Sequence, residues 1–286
     1  MTGIGDQLRT QTVDTVLGTV RVQVAGTGTP IMFWPSLLMT GDMWRGVADR
    51  LVTRSQVVLV DPPGHGGSQP LTEMFTFGDC ARCVADILDG LGLDQAHFVG
   101  NSWGGMIGAT FAATHPERIG RAVLMNCTAG RAGISQKARY AMLLRIAQWQ
   151  GEIGPALIGS VLKAFLGPTT LRERPDVVAQ VRSAVKSVDV PSVSWAVKSV
   201  VPARPDQRPL CAGITTPVLV VAGTEDATFP PREAIAMADI IPNSSIRVLD
   251  GVAHLAGLEN PALVSNLVGE FLFGDTATGE SNSDAR

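Results

Sequence analysis

The chain has 286 residues, a net charge of −3, 45% hydrophobic residues and 17% charged residues. That length and balance support a packed core and exclude a disordered chain, and the lack of any long Lys/Arg run argues against a nucleic-acid surface. No apolar stretch reaches the roughly 18 residues a bilayer span needs, and the polar start MTGIGDQLRTQTVD has no signal-peptide apolar region. A cytoplasmic protein with no membrane partner is therefore expected.

Along the chain, TVRVQVAG reads as an early strand, PIMFW as a short buried strand and QVVLV as a strand that stops at Asp61-Pro62-Pro63-Gly64. The period then switches to helical over FGDCARCVADILDGL. AHFVG is again a strand, WGGMIGATFAATHP a helix ending at His115-Pro116, and RAVLMN the next strand. Strand–helix alternation of this kind predicts an α/β fold, a mostly parallel sheet flanked by helices. From about Arg131 to Pro209 only helical patterns appear, separated by Gly and Pro. Strands return with TTPVLVVAG and SSIRVLDG, and helices with PPREAIAMADII and ALVSNLVGEFL. The expected division is a core from 1–128 and 210–275, a helical cap from 129–209 and a flexible tail from 276–286.

Gly100-Asn101-Ser102-Trp103-Gly104 fits G-x-S-x-G between a strand and a helix, the context that motif requires. Gly100 and Gly104 would clear the space around a strained turn that lifts the Ser102 hydroxyl above the strand end. A hydroxyl needs a base to take its proton. Of the four histidines, His254 lies in a loop after a late strand, where catalytic groups gather in such sheets. His65, in the Gly-rich loop PPGHGGS, is the runner-up and reads better as structural. His97 sits in a strand and His115 at a helix end. The acid that orients the base is assigned to Asp226, just past a strand end; its neighbour Glu225 competes, and one of the two reads as solvated. Asp61 comes too early in the chain and is expected to hold the His65 loop. The oxyanion is expected to meet the backbone N–H of Trp103 and, from the loop after PIMFW, that of Leu37.

These pieces, WPSLLMTGDMW, DPPGHGGS, GNSWGG, GTEDATFPP and AHLAGLENP, resemble the α/β-hydrolase superfamily over nearly the whole chain. Within it the chain is most similar to 3-oxoadipate enol-lactonases and related esterases. The resemblance implies a Ser102–His254–Asp226 triad, an oxyanion hole at Leu37 and Trp103, and a helical cap over the pocket. Pro35-Ser36 stands where many relatives have His-Gly. Epoxide hydrolases and haloalkane dehalogenases resemble the chain with Asp at the elbow, where this chain has Ser102.

The function expected is hydrolysis of a carboxylic ester or lactone through an acyl-enzyme. Alternatives are C–C bond hydrolysis of meta-cleavage products, cofactor-free perhydrolysis, and a non-enzymatic hydrolase-like ligand sensor. The cap is rich in apolar residues, most of which helical spacing assigns to its own core, and the rest favour a bulky apolar substrate. Candidate substrate contacts are Ser36, Leu38, Leu143, Trp149, Ile158, Leu162 and Trp195. Cys80 and Cys83 form a C-x-x-C inside a helical pattern and read as two helix-face thiols, since no second Cys/His pair completes a zinc set. No metal or organic cofactor is expected; the partner is the small-molecule substrate, and a homodimer is possible.

Overall fold

The computed structural model describes residues 4–274. The tail expected at 276–286 lies outside them. Eight strands form one sheet: β1 (Arg9–Thr15), β2 (Gly18–Ala25), β3 (Thr29–Trp34), β4 (Ser55–Val60), β5 (Ala96–Asn101), β6 (Ile119–Met125), β7 (Val218–Gly223) and β8 (Ser244–Leu249). Their order is β1-β2-β4-β3-β5-β6-β7-β8. β1 and β2 are antiparallel to their neighbours, and from β4 onward every pairing is parallel. β1 escapes the pattern reading because this edge strand is mostly exposed and offers almost no apolar alternation.

The central strands are buried on both faces, as their near-continuous Val/Leu/Ile runs dictate. One face packs on α2 (Phe77–Gly90), α3 (Trp103–Thr114) and α10 (Pro231–Ala238). The other packs on α1 (Arg45–Leu51) and α12 (Pro261–Phe273). α2 starts at a capping box in which the Thr76 hydroxyl accepts from the Asp79 N–H and the Asp79 carboxylate accepts from the Thr76 N–H. Cys80 and Cys83 are free thiols buried in this helix, and burial pushes Cys83 up to about 12. They face the core.

Between β6 and β7 the described residues contain helices and no strand: α4 (Ile134–Gln150), α5 (Pro155–Phe165), α6 (Pro168–Glu173), α7 (Pro175–Lys186), α8 (Val190–Val200) and α9 (Arg208–Cys211). Proline in the first turn starts α5, α6, α7 and α8, and α4 stops at Gly151 in the left-handed conformation. The short α6 is absent from the sequence reading; at six residues it is too brief to show a period. The last helices are α11 (Ala256–Glu259) and α12. No helix among the described residues is long and apolar enough to cross a membrane.

Candidate active site

Ser102 follows β5, in the turn to α3, at φ 56°, in the left-handed region that L residues avoid. Two features hold it there. Its N–H donates to Met125 O at 2.8 Å, and its carbonyl accepts from Met106 N at 3.0 Å as α3 begins. The flanking glycines are sterically required: a Cβ at Gly100 would meet Gly104 O at 2.2 Å, and one at Gly104 would meet Trp34 O at 2.2 Å. Trp103 is the first residue of α3, so its N–H has no intrahelical acceptor.

His254 lies between β8 and α11, and its Nδ1 is 2.9 Å from Asp226 Oδ2. The carboxylate only accepts, so Nδ1 carries the proton and donates, leaving Nε2 as an acceptor. Asp226 Oδ1 accepts from the N–H groups of Thr228 at 2.8 Å and Phe229 at 3.0 Å. Both side chains of the pair are buried, and the imidazole is flanked by the rings of Phe165 at 5.3 Å and Phe229 at 5.6 Å. Ser102 and His254 line the same cavity. No hydrogen bond joins the two among the described residues, a looseness common in substrate-free sites.

Leu38, Ser102 and Asn126 are the described non-glycine residues with positive φ, and all three surround this site. Beneath it runs a buried amide relay. Asn101 Nδ2 donates to Ser36 Oγ at 2.7 Å and to His254 O at 2.6 Å. Asn126 Nδ2 donates to Asn101 Oδ1 at 3.0 Å and to His254 O at 3.1 Å, and Asn126 Oδ1 accepts from Gly223 N at 2.9 Å. The loops after β3, β5, β6, β7 and β8 are thus tied together under Ser102 and His254.

His65 holds the loop after β3. Its Nδ1–H donates to Pro63 O at 3.1 Å, and its Nε2 accepts from Leu38 N at 3.1 Å. Burial lowers its pKa to about 4, so the ring is neutral and can accept. With Leu38 N–H bound to His65, the Leu37 N–H makes no hydrogen bond among the described residues. Asp61 is spent on the same loop: it accepts from Gly41 N, Gly67 N and Arg21 Nη1.

Glu225 is half-exposed but held by hydrogen bonds. It accepts from Thr169 N at 2.9 Å and Thr169 Oγ1 at 2.5 Å, at the start of α6. Glu259, buried, accepts through Oε1 from Ala253 N at 3.0 Å and Leu255 N at 3.1 Å, the residues on either side of His254. Its Oε2 accepts from Thr170 Oγ1 at 2.6 Å. Burial raises its pKa against these four donors, Gly167 N being the last.

The cavity encloses about 1100 Å³ including its mouth. Leu38 and Leu143 line it; the other five candidate contacts do not. Ser36 is fully buried as the acceptor of Asn101. Trp149 is 86% exposed on the outer face of α4. On α5 the cavity receives Leu157, Val161 and Ala164, whereas Ile158 and Leu162 are rotated into the core with Val177 and Val181 of α7. On α8 it receives Val193, Ser194 and Val197, and Trp195 turns aside under the Lys198 ammonium, 4.0 Å from its ring. Sequence reasoning missed Phe165 and Phe229. The i, i+4, i+8 series Leu157–Val161–Phe165 could have shown the first. It also missed Arg204, a buried cation of the wall that donates to Gly130 O at 2.9 Å and lies 5.4 Å over the Phe229 ring.

A family model for the alpha/beta hydrolase fold matches residues 29–261. The chain belongs to the α/β-hydrolase family. A 2-hydroxymuconate semialdehyde hydrolase from a Pseudomonas species is 27% identical, covering 93% of this chain and 90% of its own. Among solved structures, a thermophilic esterase from Thermogutta terrifontis superposes with a TM-score of 0.85 at 24% identity, covering 92% of this chain and 98% of its own. An enol-lactonase from Burkholderia xenovorans does so with a TM-score of 0.83 at 24% identity, covering 92% and 99%. At that identity these structures share the fold with this hydrolase-family chain.

Proposed function

We propose that this protein hydrolyses a carboxylic ester or lactone by acyl transfer through Ser102. The observation that carries the reading is the meeting of Ser102, on its strained turn, and the buried His254–Asp226 pair at one cavity. In this mechanism His254 Nε2 takes the hydroxyl proton as Ser102 Oγ attacks the carbonyl carbon. Asp226 holds the ring and stabilises the imidazolium. The N–H groups of Trp103 and Leu37 receive the oxyanion. His254 then protonates the leaving oxygen and activates the water that releases the acid. The wall formed by Leu143, Leu157, Val161, Val193 and Val197 suits a bulky apolar acyl or alkyl group.

A panel of p-nitrophenyl esters with aryl, macrocyclic and enol lactones tests this. Turnover with bulky neutral members preferred is expected, together with labelling of Ser102 by a fluorophosphonate. Small carboxylated lactones far outperforming the bulky neutral ones would overturn the substrate class. The 27% identical hydrolase favours a second reading, C–C bond hydrolysis with the same triad. Substrates of that reaction are coloured dienoic ketones, and their bleaching by the pure protein, without ester turnover, would select it.

A further inference from the structure

α4 does not behave as an ordinary surface helix. Such a helix turns one apolar stripe inward and a polar face outward. The inner face of α4 supplies Gln136, Arg139, Tyr140, Leu143, Leu144 and Ala147 to the cavity wall, so of its cations only Lys137 and Arg145 lie away from the cavity. Its outer face is apolar as well. Ile134, Ala138, Ala141, Met142, Arg145 and Trp149 follow i, i+4, i+7, i+8, i+11, i+15 spacing and are all exposed. Ile134 is 89% exposed, Met142 59% and Trp149 86%. The other tryptophans lie elsewhere: Trp34, Trp44 and Trp103 are fully buried, and Trp195 is half-buried.

The charge on this helix has one sign. Lys137, Arg139 and Arg145 lie within it, and no Asp or Glu occurs from Arg131 to Gly151, in a chain whose net charge is −3. These three cations form no ion pair among the described residues. A two-fold interface through this face would set Lys137 and Arg145 against their own copies with no Asp or Glu on α4 to pair with them, so a second copy of the chain fits badly. Exposed Trp, Met and Ile set among unpaired Arg and Lys match the interface of an anionic bilayer. There the apolar side chains enter the headgroup boundary while the cations stay with the phosphates.

We infer that α4 docks the protein peripherally on an anionic lipid surface, through Ile134, Met142 and Trp149 with Arg145 and Lys137 beside them. The absence of a spanning segment does not bear on docking of this kind. Because the opposite face of the same helix lines the cavity, docking sets the cavity wall against the lipid and favours amphiphilic substrates held in it.

Sedimentation of the full chain with vesicles tests the inference. Phosphatidylcholine vesicles are compared with vesicles of phosphatidylcholine and phosphatidylglycerol. Binding to the mixed vesicles only is expected, with release at about 0.5 M salt, where the screening length is a few ångströms. Acrylamide quenching of tryptophan fluorescence should fall several-fold on binding, and W149A should abolish that change. R145E and W149A should each weaken binding about tenfold and leave turnover of a soluble ester intact. Ser102→Ala should bind as the parent does, which separates this inference from the proposed chemistry. Failure to sediment, equal binding to neutral vesicles, or binding unchanged in R145E and W149A would overturn it. So would a dimer in solution that these two variants dissolve.

Discussion

The loops at the carboxyl end of the sheet and the helices above them are built by different means. The loops combine backbone strain with dense hydrogen bonding: Leu38, Ser102 and Asn126 at positive φ, and Asn101, Asn126, His65 and Asp61 each bonded to at least one backbone group. The wall given by α4, α5 and α8 is mainly apolar, and its side chains meet the cavity by helical spacing. Polar contacts fasten the helices between β6 and β7 at separate points, among them Glu225 to Thr169, Glu259 to Thr170, and Thr228 Oγ1 to Ala164 O at 2.6 Å. Strain is tolerated where surrounding bonds over-determine it. Atomic placement thus belongs to the sheet loops, and the helices between β6 and β7 shape the space above them. Substitutions in the loops should therefore act on rate, and those at the points that fasten these helices on affinity for large substrates.

The largest expected effect lies in the loops. Ser102→Ala should lower kcat for a p-nitrophenyl ester by about 10⁴-fold or more, and Asp226→Asn by about 10⁴-fold, because the Asn amide would present the wrong partner to Nδ1. Circular dichroism and melting should be close to the parent for Ser102→Ala. A Ser102→Ala protein that kept full activity would remove the mechanism.

His65 gives a smaller effect, and one with a defined pH window. Its pKa is about 4 in the folded chain against 6.5 for a free histidine. Between those values the unfolded chain takes a proton that the folded chain refuses, so stability is full above pH 6.5 and declines as the pH falls toward 4. The shift corresponds to about 3 kcal/mol over that window. Protonation also removes the acceptor for Leu38 N–H, so the loop after β3, the proposed oxyanion loop, should loosen in the same range. Urea unfolding at pH 7 and pH 4.5 measures it. His65→Gln, whose amide oxygen can accept from Leu38 but does not titrate, should lose much of the slope; an unchanged slope would assign it to other groups.

Much of this contrast is legible in the sequence, and the rest is not for identifiable reasons. The elbow announces itself because Gly100 and Gly104 flank Ser102 at fixed offsets after an apolar run. The buried strands show as Val/Leu runs, and the helical segment between β6 and β7 shows as an absence of them. Which face of each of these helices meets the cavity does not show. Ile158 and Leu162 are as apolar as Leu157 and Val161, and only tertiary packing against α7 separates the pairs. Trp149 misleads for the same reason, as its outward position depends on how α4 is rolled. Glu225 and Glu259 are invisible because their partners, Thr169 and Thr170, lie 56 and 89 positions away.

Those two carboxylates allow the finest test of the contrast. Both reach the first turn of α6, and each stands beside a member of the proposed triad: Glu225 next to Asp226, and Glu259 bound to the amides on either side of His254. Thr170→Val removes the 2.6 Å donor from the buried Glu259 but leaves the Ala253 and Leu255 bonds on the other oxygen in place. It should cost about 1–3 kcal/mol of stability, because the buried Oε2 is left with only the long 3.4 Å contact from Gly167 N. Thr169→Val, facing a half-exposed Glu225, should cost less than about 1 kcal/mol. In both variants KM for a bulky ester should rise several-fold, while kcat for a small acetate ester should change less than about twofold, since the loop bonds around His254 persist. The two threonines share one turn, so the double variant should depart from the sum of the singles. If instead kcat for the small ester fell along with affinity for the bulky one, the helices between β6 and β7 and the sheet loops would act as one unit, with no division of labour between them.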